Sequence, residues 1–365
     1  MGSSEEARRG ATIYSVADHA GVSIATVSRV LQDSPVVSER TKRKVLDSVD
    51  ELAYLPSGAA RSLAVRHHDT YGLVLPELGG PYYAELLIGF ETRAAELDQS
   101  VMLVLAGTKE DRDRALRTLA TRVDGIAVLG SDPASVGSGA KPVVVIAGHA
   151  RAGIEAIAAE NVEGARRLTE HLLEHGRTRL VFVGDTDAAP DLLERYEGFV
   201  AAHHERGLTP AEPVRAEFRE PEGTAVAERL LAGDITADAL VCGNDELALA
   251  IMARLMDGGV EVPADIAIAG WDDVMAARYV RPGLTTVRQP VQQLGALAAD
   301  RLHDLVSGAT PRTERHVLDT EVVLRSSCGC PPGVAAGERP ATPPPAGSPG
   351  TPDLSSTESM HPTRK

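Results

Sequence analysis

Residues 21–31 read GVSIATVSRVL, and their spacing puts two chemistries on one short helix. Val27, Val30 and Leu31 share a face suited to packing on a small core. Thr26, Ser28 and Arg29 share the other, a stripe of hydroxyls ending in a guanidinium. Such a stripe packs poorly but suits a polar, anionic partner. Hydroxyls donate to phosphate oxygens, and an arginine can pair bidentately with a guanine edge.

Two further stretches could do chemistry. HLLEH at 171–175 has the H-x-x-E-H form of one zinc-peptidase class, and on a helix His171 and His175 would share a face. CGC at 328–330 could bind metal or react. No other metal-site context accompanies either, so the expectation is an ordinary helix at 171–175, a solvent-exposed chain end at 328–330, and neither metal nor cofactor. G-x-S-x-G, P-loop and G-x-G-x-x-G patterns do not occur, so an enzyme is not expected.

The elements that must position these residues fall into distinct textures. Residues 12–64 hold three helical runs, preceded by Thr12, Ser23 and Ser38, all good N-cap residues. Gly21 sits where the first helix must end in a sharp turn. Helix, glycine turn, short second helix and supporting third helix is the order of a helix-turn-helix, whose second helix fits the major groove. A three-helix packing module with solvated polar faces fits the same pattern.

From residue 69 onward, short apolar runs such as YGLVLP, VMLVLAG, GIAVLG, PVVVIAG, LVFVG, ALVCGND and DIAIAGWDD alternate with helix-length segments. Alternation of this kind predicts an α/β fold with parallel sheets. About nine strands is generous for one sheet, so two subdomains are expected, with a first crossing between them at 161–165. Residues 331–365 hold nine prolines and few large apolar residues, which predicts a disordered tail.

Bulk properties narrow the class. Hydrophobic residues make up 43% and charged residues 24%, an ordinary globular balance. Three cysteines argue against a disulfide scaffold, and the N-terminus lacks an apolar h-region, so a cytoplasmic protein with no membrane segment is expected. The net charge of −15 is unevenly spread. Residues 1–66 carry nine basic and eight acidic side chains, leaving 28 basic and 44 acidic ones, or −16, to the rest. Any contact with nucleic acid is confined to the near-neutral head, which carries the KRK cluster at 42–44.

The run VADHAGVSIATVSRVL, followed by VS-x-x-T, a Tyr-x-Pro segment and AARSLA, resembles the head of the lactose-repressor (LacI/GalR) family of bacterial transcription factors. The resemblance implies that Ile24 and Ala25 occupy positions that vary with operator sequence and that Arg29 reads a base. Thr12, Ser23, Thr26, Ser28, Ser38 and Thr41 match positions contacting the DNA backbone. Gln32 stands where the family usually has Asn. Residues 57–68 match a hinge helix and linker; alone that helix is too short to be stable. Its Leu63 matches a wedge into the minor groove, and Ala59 and Ala60 allow close approach.

Residues 69–327 are similar to the family's effector domain, itself like periplasmic sugar-binding proteins: GLVLPELGGPYYAELLIGFE, RVDGIAVLG, ENVEGARRLTEHLLEHG, RYEGF, GNDELALA, VPADIAIAGWDD and LTTVRQP carry the match. The resemblance implies ligand contact by Arg195, Asn244 and Asp272, with Phe218, Tyr82 and Tyr83 as aromatic walls and Gln289 at a crossover. Ala147 stands where many sugar-sensing members have Asp, Glu160–Asn161 replaces a usual Asp–Asn, and the loop at 131–142 is short. Ala189 replaces an effector arginine of the purine repressor, which argues against a purine.

The expected layout is a helix-turn-helix head at 12–56, hinge and linker at 57–68, a two-subdomain effector core at 69–327 and a tail at 328–365. The expected protein is a homodimeric repressor of a pseudo-palindromic operator, switched by a small-molecule effector, with a sugar as the expected class. The body alone would equally suit a periplasmic-type solute-binding protein.

Overall fold

A computed structural model of the chain describes residues 11–31, 34–54, 67–130, 141–151 and 153–331. Gln32, Ala59, Ala60, Leu63, most of the hinge and linker, and the tail beyond residue 331 lie outside them.

The head contains α1 (Ile13–Ala20), α2 (Ile24–Leu31) and α3 (Glu39–Glu51). Their apolar faces meet in a small core of Val16, Ala17, Ala20, Val27, Val30, Val45 and Tyr54. Each helix opens on a side-chain cap. The Ser15 amide donates to Thr12 Oγ1 at 3.3 Å, that of Thr26 to Ser23 Oγ at 3.1 Å, and that of Thr41 to Ser38 Oγ at 3.3 Å. One such cap contributes about 1 kcal/mol, which matters in a core this small. Gly21 ends α1 in the left-handed conformation at φ 58°, where a side chain would be strained.

The N-terminal subdomain is a six-stranded sheet in the order β10-β5-β4-β3-β1-β2, with β1 (Thr70–Leu75), β2 (Ser100–Leu105), β3 (Gly125–Leu129), β4 (Val143–Ile146), β5 (Glu155–Ala159) and β10 (His316–Leu318). All its pairings are parallel. One face is covered by α4 (Pro81–Glu96) and α11 (Val291–Val306), the other by α5 (Lys109–Leu119). The two covering helices cross at backbone contact. A Cβ on Gly89 would lie 2.0 Å from the Gln292 carbonyl oxygen, and one on Gly295 2.3 Å from that of Leu86.

The C-terminal subdomain has a parallel sheet β6-β7-β8 (Leu180–Val183, Ala239–Cys242, Ala267–Ala269) and an antiparallel pair of β9 (Thr286–Arg288) with β11 (Glu321–Val323). Helices α6 (Val162–Glu174) and α7 (Pro190–Glu205) pack on one side of the three-stranded sheet. On the other lie α8 (Glu220–Leu231) and α9 (Asp245–Asp257). A short α10 (Met275–Tyr279) follows β8.

Three segments pass between the subdomains, at 159–162, 288–291 and 318–321. The first crossing is complete before Val162, earlier than the expected 161–165. The reason is Glu160, whose carboxylate accepts from the Glu163 and Gly164 amides at 2.8 Å each and so starts α6 at once. The second and third crossings involve strands of three residues, too short for any periodicity to mark. The first and third are tied together: the Glu160 amide donates to the Leu318 carbonyl at 2.8 Å, and Thr320 Oγ1 donates to the Glu160 carbonyl at 3.0 Å.

The expectation of an exposed chain end at 328–330 is corrected. Cys328 and Cys330 are buried, because Val322, Leu324 and both cysteines pack onto the core under α6 and α7. Ser327 pins the segment, its hydroxyl donating to the Ile268 carbonyl at 2.5 Å and accepting from the Thr285 amide at 2.8 Å. No helix among the described residues is long and apolar enough to cross a membrane.

Candidate functional site

Two surfaces carry unspent chemistry, one on the head and one in the cleft between the subdomains. On α2, Ile24, Ala25 and Arg29 are exposed while Val27 and Val30 are buried, as the spacing predicts. Ser23, Thr12 and Ser38 lie beside the starts of the three helices, where free backbone N–H groups favour anions. Ser23 and Thr26 share one hydroxyl–hydroxyl bond at 2.9 Å, as do Ser38 and Thr41. Each pair owns two O–H donors and spends one internally, so one remains for a phosphate. Ser28 is half-buried beside them. Tyr14, missed from sequence, is 66% exposed in the first turn of α1 and leaves an aromatic hydroxyl accessible there.

In the cleft, the C-terminal subdomain supplies the buried charge. Arg195, on the buried side of α7, donates from Nε to Asn161 Oδ1 at 2.9 Å and from Nη1 to the Gly243 carbonyl at 2.6 Å. Its guanidinium carbon lies 4.5 Å from the centroid of the Trp271 ring, a cation–π arrangement. Asp191, one turn earlier, approaches it at 3.9 Å. These contacts fix the guanidinium plane, so its free edge has one orientation.

Asp272 follows β8 with φ 118°, and its neighbour Asp273 has φ 56°. Both are conformations that side chains rarely adopt. The turn sends the two carboxylates to different tasks. Asp273 is buried and holds Arg288 at 2.8 Å and Arg325. Asp272 instead accepts from Gln289 Nε2 at 2.6 Å. Burial pushes the Asp272 carboxyl up to about 7, with Arg195 and Gln289 opposing that shift. Burial likewise raises Asp191, with Arg195 opposing.

The other residues expected here are placed as follows. Tyr82 and Tyr83 stand at the start of α4 with their rings 5.7 Å apart, edge to face. Burial raises the Tyr82 hydroxyl, and Asp191 and Asp272 raise it further, so this wall faces the carboxylates across the cleft. Asn244 caps α9, its Oδ1 accepting the Leu247 amide at 2.9 Å; its remaining donors are those of the NH2 group. Phe218 is half-buried against both cores of its subdomain and would lie 2.9 Å from a Cβ on Gly243.

Asp191 Oδ1, Gln289 Oε1 and Trp271 Nε1 are buried without a hydrogen-bond partner. An unmet buried polar atom costs about 1–3 kcal/mol, and these three gather beside Arg195 and Asp272. Together they offer acceptors and donors to a molecule carrying several hydroxyls. Sequence reasoning missed Asp191, Trp271 and Asn161 as site residues. The available signals were Asp191 lying one helical turn before Arg195, and Trp271 directly preceding the two aspartates.

Residues 12–57 match the family model for bacterial regulatory proteins of the lacI family, and residues 169–328 that for a periplasmic binding protein-like domain. The HTH-type transcriptional regulator GalR of Salmonella typhimurium (strain SL1344) is 32% identical over 334 residues, spanning 88% of this chain and 97% of that protein. Catabolite control protein A of Priestia megaterium is 31% identical, spanning 87% and 98%. A lac repressor dimer bound to operator and the anti-inducer ONPF superposes with a TM-score of 0.78 at 25% identity, over 88% of this chain and 99% of that one. A complex of the transcriptional regulator CelR with cellobiose gives 0.66 at 28% identity, over 87% and 99%.

Proposed function

The chain belongs to the lacI family of bacterial regulatory proteins, and from that premise we propose that it is a homodimeric repressor whose operator affinity is switched by a sugar. As a DNA-binding transcriptional regulator it must read sequence through the head. In this reading the exposed Arg29 addresses a base edge, and Ile24 and Ala25 meet thymine methyl groups. The hydroxyls of Thr12, Ser23, Thr26, Ser28, Ser38 and Thr41 hold phosphates. Gln32 and the hinge residues Ala59, Ala60 and Leu63 complete the contact, Leu63 as a minor-groove wedge. Two heads on a pseudo-palindrome require a dimer.

The observation that carries the effector reading is the cluster of Arg195, Asp191, Asp272 and Gln289, with polar atoms left unpaired beside the interdomain crossings. A polyol supplies hydroxyl protons to the carboxylates and lone pairs to the guanidinium. Its binding energy favours the closed cleft, and the crossings would pass that closure to the hinges as a population shift. The names of relatives support sugar classes, among them GalR, a ribose operon repressor and a regulator complexed with cellobiose.

The test is a fluorescence-anisotropy titration of the full chain on DNA from upstream of its own gene, repeated with a panel of mono- and disaccharides. Specific binding that one sugar weakens at least tenfold supports an inducible repressor. Specific binding that no sugar alters removes the sugar effector and leaves the DNA-binding half standing.

A further inference from the structure

Two pairs of side chains, far apart in sequence and unused by head or cleft, meet on one side of the C-terminal subdomain. His171 belongs to the last turn of α6 and His175 is its C-cap residue. Four residues apart, they face the same way, with ring centroids 4.6 Å apart. Opposite them, beyond the third crossing and β11, the chain makes a short turn at Ser326–Cys328. Gly329 then takes φ 106°, which turns Cys328 and Cys330 toward the same point instead of to opposite sides, as an extended C-x-C would place them.

One ligand atom from each of the four lies within 4.8 Å of all the others. His171 Nε2 is 3.3 Å from Cys328 Sγ and 3.5 Å from Cys330 Sγ, and His175 Nε2 is 3.4 Å from Cys330 Sγ. Zn–S bonds of about 2.3 Å and Zn–N bonds of about 2.0–2.1 Å at a tetrahedral angle require S···N edges of about 3.5 Å. The three S···N edges here, 3.3, 3.5 and 3.4 Å, lie close to that length.

We propose that His171, His175, Cys328 and Cys330 form a structural Zn(II) site that staples the segment following β11 to helix α6. The donor set of two imidazoles and two thiolates selects zinc by softness and geometry. Binding takes up one Zn(II), forms two Zn–S and two Zn–N bonds, and releases the two thiol protons. The Cys328 proton, which now faces the Arg325 carbonyl at 3.1 Å, is one of them. The resulting centre is neutral overall, which suits its buried thiolates. Thr285 Oγ1 stands 3.1 Å from Cys328 Sγ and supplies an outer hydrogen bond to the thiolate. All four positions are filled by protein, so the site is closed and its role is mechanical.

The ion joins residues more than 150 positions apart, which no local turn could hold. It also gives HLLEH and CGC a single explanation, where sequence had offered an ordinary helix and an exposed chain end.

The test uses the full chain without an affinity tag, purified from zinc-supplemented medium and dialysed. Elemental analysis is expected to find one zinc per chain. Co(II) exchanged for it should give the thiolate charge-transfer and intense visible bands of a tetrahedral S2N2 centre. Cys330→Ser and His175→Ala should lose the metal, whereas exposed His204→Ala should keep it. Should those variants fail to fold, the metal content and cobalt spectrum of the unaltered chain decide the matter. Folded, zinc-supplied protein holding less than about a tenth of an equivalent overturns the proposal. So does zinc that both variants retain, or a Cys328–Cys330 disulfide in freshly isolated protein.

Discussion

The two walls of the cleft are built on opposite principles. The C-terminal wall is charged, buried and strained: Arg195, Asp191 and Asp272 crowd together, and two successive aspartates hold positive φ. The N-terminal wall opposite is aromatic and apolar where it is buried, formed by Tyr82 and Tyr83 at the start of α4, with the exposed Glu77 and Glu85 at its margin and Ala147 following β4 at the same carboxyl end of the parallel sheet. Sheets of this type place ligands at that end. The contrast implies a division of labour. Under the proposed function, hydroxyl recognition would sit on one wall, and the other would close over the ligand with contact area and little polar selectivity.

Arg195→Ala should break that division most severely. Its loss orphans Asn161 Oδ1 and the Gly243 carbonyl and leaves buried Asp191 without its counter-charge. The expected cost is about 3–5 kcal/mol of stability in urea unfolding, with any effector response on operator binding gone. Arg195→Lys keeps charge but not the fork and should recover part of the stability only. An intact effector response in Arg195→Ala would mean that recognition lies elsewhere.

Asp272→Asn should show a smaller effect with opposite signs on stability and function. The folded chain holds the Asp272 proton up to about pH 7, while the unfolded chain releases it near 4. The unfolded state therefore binds fewer protons between those values, and this group's contribution falls as pH rises through 7. Asparagine escapes that loss, so the variant should be more stable than the parent above pH 7, by about 1–3 kcal/mol. Effector affinity should drop by about 10–100-fold for want of a charged acceptor. The parent's affinity should decline as pH falls below 7 and the variant's should not; equal pH profiles by calorimetry would take Asp272 out of the contact.

The head was more legible in sequence than the cleft, for a physical reason. Its chemistry lies within one helix and its caps, so Thr12, Ser23, Ser38 and the α2 stripe could be read at fixed short spacing and appear where expected. The cleft draws Asn161, Arg195, Asp272 and Gln289 from segments joined only by the crossings. A parallel α/β pattern foretold strand ends, but not that Glu160 would start α6 early or that Asn244 would spend its oxygen on a cap. The cysteine turn was misread because its partners lie on α6, more than 150 residues earlier.

The smallest effect probes the N-terminal wall. Ala147 has φ 55°, a left-handed conformation that costs a residue with a Cβ about 1 kcal/mol or more. Its amide is committed to the Ile157 carbonyl at 2.8 Å, so the backbone cannot relax without breaking the end of the β4–β5 ladder. Ala147→Gly removes that strain while deleting one methyl group. The expected gain is about 0.5–1 kcal/mol, a rise of roughly 2–4 °C in calorimetry, with effector affinity held within about twofold. A passive wall predicts that combination. If stability rises as expected but the effector response collapses, the methyl group or the rigid turn is shaping the pocket. Specificity would then be shared by both walls, and the strain at Ala147 would join that at Asp272 in shaping the proposed site.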